Sequence, residues 1–201
     1  MTDAPTDAAL LIEAQDGDYD AFEVLHARLR PPIRRFVVRL IGECEDVDDI
    51  VQLTFISLYR NLHRIEPLET LRAYVFKIAR NQCIDELRRQ GRYETTELEE
   101  EYETGGVRVS FTSTQPAPED AVHWLLVRLE VMEAIETLPE SQRQTLILYA
   151  EQNLSLKEIA IAMEVSEGTV KSRLYHARRK LKGRLHPNTL RAVATLFESD
   201  L

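Results

Sequence analysis

Basic side chains recur between Leu154 and Lys182 at spacings suited to gripping a polyanion: Lys171, Arg173, Arg178, Arg179 and Lys182, with Thr169, Ser172 and Tyr175 interleaved. Ammonium and guanidinium groups neutralise phosphates and release their counterions, and the same donors together with short hydroxyls can read base edges. This is the chemistry of binding rather than of bond making. His26, His63, His123, His176 and His186 are scattered without metal-ligand spacing, no glycine-rich phosphate loop is present, and no nucleophile can be matched with a base. Cys44 and Cys83 form neither a CxxC site nor a disulfide framework. No metal, cofactor or small-molecule substrate is expected, and the chain does not read as an enzyme.

The elements needed to present those cations can be read from the surrounding residues. Ser155 followed by Glu158 is a capping box, so a helix starts there and runs through Ile159, Ala160 and Ala162 to about Met163. Glu164-Val165-Ser166 makes a short turn, with Ser166 placed to cap a second helix. Val170, Leu174, Ala177 and Leu181 give that helix one apolar stripe and leave its other faces basic. Two helices joined this way form a helix-turn-helix, whose second helix enters the DNA major groove. Thr169, Lys171, Ser172, Arg173 and Tyr175 are then within reach of bases, and Arg178, Arg179 and Lys182 of phosphates. Upstream, Val122, Leu125, Leu126, Leu129, Met132 and Leu138, with Trp124, read as the inward side of one helix. Another restarts at Pro139 and should end near Asn153.

The front of the chain is helical in pattern too. Ala21, Phe22, Val24, Leu25 and Leu29 follow helical spacing, and Pro31-Pro32 should end that helix and open another at Ile33. Val47, Ile50, Val51, Phe55, Leu58 and Leu62 line one side of a helix that follows Asp46. After a loop from His63 to Thr70, residues 71 to 90 place Leu71, Tyr74, Val75, Ile78, Ile84 and Leu87 inward. Arg72, Lys77, Arg80, Arg88, Arg89 and Arg92 add positive charge. Cations interleaved with Tyr74 and Phe76 suit an unstacked strand, although the same periodicity suits two core rings.

The net charge of the 201 residues is −9, which by itself argues against nucleic acid. Local blocks matter more, because charges further apart than a Debye length of ~8 Å are largely screened at physiological salt. Arg28, Arg30, Arg34, Arg35 and Arg39 lie in a stretch without an acid, as do the cations after Thr169. Residues 94–118 break the pattern with an acidic run, Gly105-Gly106, Pro116 and Pro118, and read as a flexible linker. The expected organisation is all-α: a helical domain at 1–93, the linker at 94–118, a helix-turn-helix domain at 119–185, and a tail at 186–201 carrying Leu190, Val193, Leu196 and Phe197. No apolar run approaches the ~18 residues of a membrane span, and the acidic N-terminus lacks a signal-peptide pattern, so a cytoplasmic location is expected.

DVDDIVQLTFISLYRNL at 46–62, LRAYVFKIARNQCIDELRRQGR at 71–92 and SLKEIAIAMEVSEGTVKSRLYHARRKLK at 155–182, the last preceded by LPESQRQTLIL, together resemble the extracytoplasmic-function (ECF) sigma factors of the sigma-70 family. The chain departs from their pattern at Leu53, where many members have Glu, and at Tyr74, where Trp is usual. The resemblance implies that Asp46, Asp48, Asp49, Gln52, Phe55, Ile56, Tyr59 and Arg60 grip core RNA polymerase. It implies that the 63–70 loop takes a flipped minus-ten base, and that His63, Arg64, Arg72, Lys77, Arg80, Asn81, Asp85 and Arg88 follow the melted non-template strand. The recognition helix would read the minus-thirty-five element of promoter DNA, and an anti-sigma factor is an expected partner. On the residues alone, a helix-turn-helix repressor or activator stays open as the alternative.

Overall fold

A computed structural model describes residues 5–65, 70–92 and 121–193, and among these every regular element is a helix, as expected. The linker, the strand-like VRVSF at 107–111, the centre of the 63–70 loop and the end of the tail lie outside the described residues. Two compact units account for the chain: 1–95 with 157–164, and 96–156 with 165–201.

In the first unit, α1 (Asp7–Gln15) is an element that the acidic composition of the N-terminus concealed. Thr6 accepts the Ala9 N–H at 3.2 Å and so caps an otherwise unpartnered donor. Leu10, Leu11 and Ala14 are buried. Gln15 donates to the Leu62 carbonyl at 2.8 Å and Arg28 donates to the Pro5 carbonyl at 2.7 Å, which fixes both ends of α1.

Helix α2 (Tyr19–Ile41) does not stop at Pro31-Pro32 but runs through them. Two prolines remove the N–H groups that Ala27 and Arg28 carbonyls would have accepted. Ala27, Arg28 and Pro31 are exposed, so water can take those carbonyls. Leu25 and Leu29 before the break, and Ile33, Phe36 and Val37 after it, are all buried along one side, and this shared burial holds the axis continuous.

Helix α3 (Asp46–Arg60) buries Val47, Ile50, Val51, Thr54, Phe55 and Leu58, and keeps Asp46, Asp48 and Asp49 in its first turn, where the helix dipole favours anions. A 3-10 turn (Leu62–Arg64) follows. Helix α4 (Leu71–Arg89) buries Phe76, Ala79, Cys83 and Leu87 at helical spacing, whereas the expected Tyr74 and Ile78 are only half-buried. Phe76 stands edge-on to Phe36 at 5.2 Å and has no exposure, so it is a core ring rather than a stacking platform.

Farther along, α5 (Ala121–Glu136) reverses an expectation. Val127, Ala134 and Ile135 are buried, as is Leu138 just beyond the helix, while Leu125, Leu126 and Leu129 face outward and Trp124 is exposed. Helix α6 (Glu140–Ala150) begins after Pro139 and buries Leu146, Ile147, Leu148 and Tyr149. Next come α7 (Leu156–Met163), α8 (Glu167–Arg184) and α9 (Pro187–Ala192), the last being an amphipathic piece at the start of the tail.

Candidate functional site

A groove of about 530 Å³ runs between α2 and α3. From α3 it takes Asp48, Asp49, Val51, Gln52, Phe55, Ile56, Tyr59 and Arg60, and from α2 Tyr19, Phe22, His26 and Arg30. Of the α3 residues singled out in the sequence only Asp46 is missing. Its carboxylate turns instead to α4, accepting from Gln90 at 3.2 Å and lying 3.5 Å from Arg89. Ring pairs join the walls: Phe22 meets Tyr59 edge-on at 5.0 Å, and His26 meets Phe55 at 4.4 Å. Phe55 is itself buried, so its ring reaches the groove as floor rather than as a protruding contact.

Charge fringes the groove. Arg30 reaches Asp48 at 3.2 Å, and Arg34 lies 3.6 Å from Asp48 and 2.5 Å from Glu43. Hydrogen bonding to Glu43 holds the Arg34 guanidinium above its ordinary range. Burial, and then the neighbouring Arg30, push His26 below the usual imidazole value. A neutral imidazole packed on an aromatic floor beside the exposed apolar side chains of Ile56 and Tyr59 favours an apolar ridge with cationic and anionic flanks, such as a helix of another protein.

The α2 wall was missed by the sequence reading. Its signal was present, because Tyr19, Phe22, His26 and Arg30 follow i, i+3, i+7, i+11 and must share one side of a helix. The longer apolar stripe of Leu25, Leu29, Ile33 and Phe36 on the same helix is the stronger pattern and masks it.

On α4, Lys77, Asn81, Asp85 and Arg88 fall on one line of the helix, with Asp85 and Arg88 exposed and 3.6 Å apart. Half-buried Tyr74 begins the same line, while Arg72 and Arg80, also half-buried, lie to its side. Arg89 belongs elsewhere: it donates to Glu86 at 2.8 Å and 2.7 Å, and this hydrogen bonding lowers the Glu86 carboxyl and raises the guanidinium. His63 and Arg64 are exposed on the 3-10 turn.

Helix α8 is built as its residues foretold. Ser166 caps it, accepting the Thr169 N–H at 3.1 Å, and Val170, Leu174, Ala177 and Leu181 are all buried. The preceding turn is closed by Glu164 at φ +57°, a left-handed backbone that glycine more often supplies. Lys171, Arg179 and Lys182 are exposed, and Thr169, Arg173 and Tyr175 half-exposed. Ser172 and Arg178 are buried.

Residues 25–93 match the family model Sigma-70 region 2, and residues 128–181 match Sigma-70, region 4. The ECF RNA polymerase sigma-E factor of Escherichia coli strain K12 is 31% identical over 192 residues, covering 93% of this chain and 98% of the relative. The chain belongs to the ECF sigma factors of the sigma-70 family. The Haemophilus influenzae sigma-E factor is 29% identical over 189 residues, covering 93% and 99%. Among solved structures the fold is similar to that of CnrH in complex with the cytosolic domain of CnrY, at 26% identity and TM-score 0.62 over 88% of this chain and 95% of that one. It is also similar to the sigma factor RpoE of Bartonella quintana in complex with the anti-sigma factor NepR, at 22% identity and TM-score 0.57 over 81% and 94%.

As an ECF sigma factor the protein serves RNA polymerase in promoter recognition, and the repressor alternative falls away. No helix among the described residues is long and apolar enough to cross a membrane.

Proposed function

We propose that this ECF sigma factor binds core RNA polymerase through the α2–α3 groove, reads the duplex minus-thirty-five element with α8, and holds the melted non-template strand of the minus-ten element along the outward line of α4. It does no covalent chemistry of its own and acts in the cytoplasm. The observation that carries the reading is the groove. Seven α3 positions that the family resemblance assigns to polymerase line one cavity, and that cavity is apolar at its centre and charged at its rim.

The α4 line supports the strand-binding step. A flipped base costs a few kcal/mol of lost stacking, which cations along the backbone and a ring such as Tyr74 can offset. Lys77 and Arg88 supply the cations, and Asn81 supplies an amide able to pair with a base edge. On α8, Lys171, Arg173, Thr169 and Tyr175 are the base readers, with Arg179 and Lys182 on phosphates. Ser172 and Arg178, both buried, would join them only after a change in their surroundings. An anti-sigma factor that covers the groove would compete with polymerase, a reading supported by the capture of the similar CnrH with the cytosolic domain of CnrY.

Transcription with purified core enzyme tests the whole. Promoter-dependent initiation should require this chain, and its absence on every template enriched from the source genome would end the reading. Strand stabilisation is tested separately by base-analogue fluorescence in the minus-ten region, where Arg88→Glu should suppress opening while leaving assembly with core intact.

A further inference from the structure

We propose that Glu167, the first residue of α8, is a specificity-determining residue of promoter recognition, its carboxylate accepting a hydrogen bond from the exocyclic amino group of a cytosine in the minus-thirty-five duplex. The inference rests on α8 being the duplex-binding helix and adds the base contact that its cations cannot make.

The first turn of α8 is locked. Ser166 accepts the Thr169 N–H at 3.1 Å, and the two hydroxyls lie 2.9 Å apart. Gly168, between them, has no side chain, so Glu167 is what the tip of the helix presents. It is exposed, and it is the one acid of α8. Among the described residues its carboxylate forms no ion pair, not even with Lys171 one turn on, where the i, i+4 spacing would allow one.

That position decides what the carboxylate can meet. A recognition helix enters the major groove with its N-terminal residues at the base edges. Along the sides of the groove an anion would face phosphates and be repelled, whereas at the tip it meets the floor.

The base edges then select the partner. Lys171 carries donors only, as does Arg173, and both suit the two acceptors of guanine. The hydroxyls of Thr169 and Tyr175 donate or accept and so discriminate little. An ionised carboxylate only accepts. Guanine and thymine offer it acceptors, adenine sets N7 beside its amino group, and cytosine presents its amino group without a neighbouring acceptor. The positive end of the α8 dipole favours the ionised form and offsets part of the cost of bringing an anion to DNA. The dipole alone would also favour an acid there, but that role predicts no base preference.

Selection from promoter duplexes randomised across the minus-thirty-five element separates the two roles. Core polymerase assembled with the intact chain, with Glu167→Ala, with Glu167→Gln or with the double variant Lys171→Glu and Arg179→Glu is the selecting species, and the bound DNA is sequenced. The intact chain should enrich cytosine at one position of one strand. Glu167→Ala should lower that enrichment about tenfold and leave the neighbouring positions as they were, in the range of a single base contact. Glu167→Gln should move the preference at that position toward adenine, with which an amide pairs through both its groups. Unchanged preferences in Glu167→Ala, with or without a uniform change in affinity, would overturn the proposal and leave the carboxylate to the dipole. If the double variant nevertheless loses affinity, only the cytosine contact is lost. If it binds and selects as the intact chain does, the duplex-binding role of α8 falls too.

Discussion

The α2–α3 groove and the outward side of α8 are both surfaces of helices, yet they are made in opposite ways. The groove is concave and two-walled, with ring against ring at its floor and carboxylates and guanidiniums already paired at its rim. Helix α8 has one buried stripe, and its outward residues are cations and short polar groups. A concave apolar surface gains free energy by shedding water onto a protein partner, with a few central side chains carrying most of it. A convex cationic one gains by releasing counterions from a polyanion. Within one acidic chain, local shape and charge thus differ in the class of partner they suit, a difference that the net charge conceals.

The largest effect should come from the centre of the groove. Ile56→Asp places a charge where apolar contact is expected and should weaken binding to core polymerase ~100-fold, in the range of interface hot spots. Competition for core enzyme measures it, and the same loss from a charge change on α8 would break the contrast. Lys171→Glu combined with Arg179→Glu should lower promoter affinity of the assembled enzyme by about 10- to 100-fold and reduce the log–log salt slope by about 2. Affinity for core should stay put in that variant. A salt slope equal to that of the parent would remove both residues from the DNA surface.

Smaller effects sharpen the picture within each unit. Ser166→Ala removes the cap of α8 and should cost about 1 kcal/mol, read as a lower denaturant midpoint at unchanged slope. The least effect concerns His26. Its pKa is lowered in the folded chain, so the unfolded state binds the extra proton first as pH falls. Stability should therefore be full above the ordinary value of about 6.5, fall as pH drops from there to the lowered folded value, and then level off. His26→Gln should flatten that part of the profile in pH-dependent melts, and an unchanged profile would show that His26 does not sit against Phe55 in solution.

Much of this was legible in the residues. The α8 stripe, its Ser166 cap and the all-helical class follow from periodicity and hydrogen-bonding chemistry that act within one or two turns. The α3 half of the groove followed from the family resemblance. The α2 half did not, because the wall is formed by residues about thirty positions away in the chain, and no local pattern states which two helices lie side by side. The prolines misled for a related reason. A pair of missing N–H groups breaks an isolated helix, but exposed carbonyls and a buried stripe on both sides of Pro31-Pro32 make continuity the better outcome. Arg89 was grouped with the cations of α4 and Asp46 with the polymerase face that the resemblance implies, and no local pattern showed that the two side chains meet, tying α4 to the start of α3.

The order of residues by itself determined that this protein is helical, that Ser166 caps α8, and which stretches are cationic, since these depend on near neighbours in the chain, and it carried the resemblance to sigma factors in its motifs. Only the tertiary structure decided which faces are left over. Leu125, Leu126 and Leu129 were as apolar as any core set, and they stand in solvent because α5 can turn only one side to its neighbours and Val127, Ala134 and Ile135 occupy it. Burial is a property of what surrounds a side chain, and the surroundings are brought together by the fold.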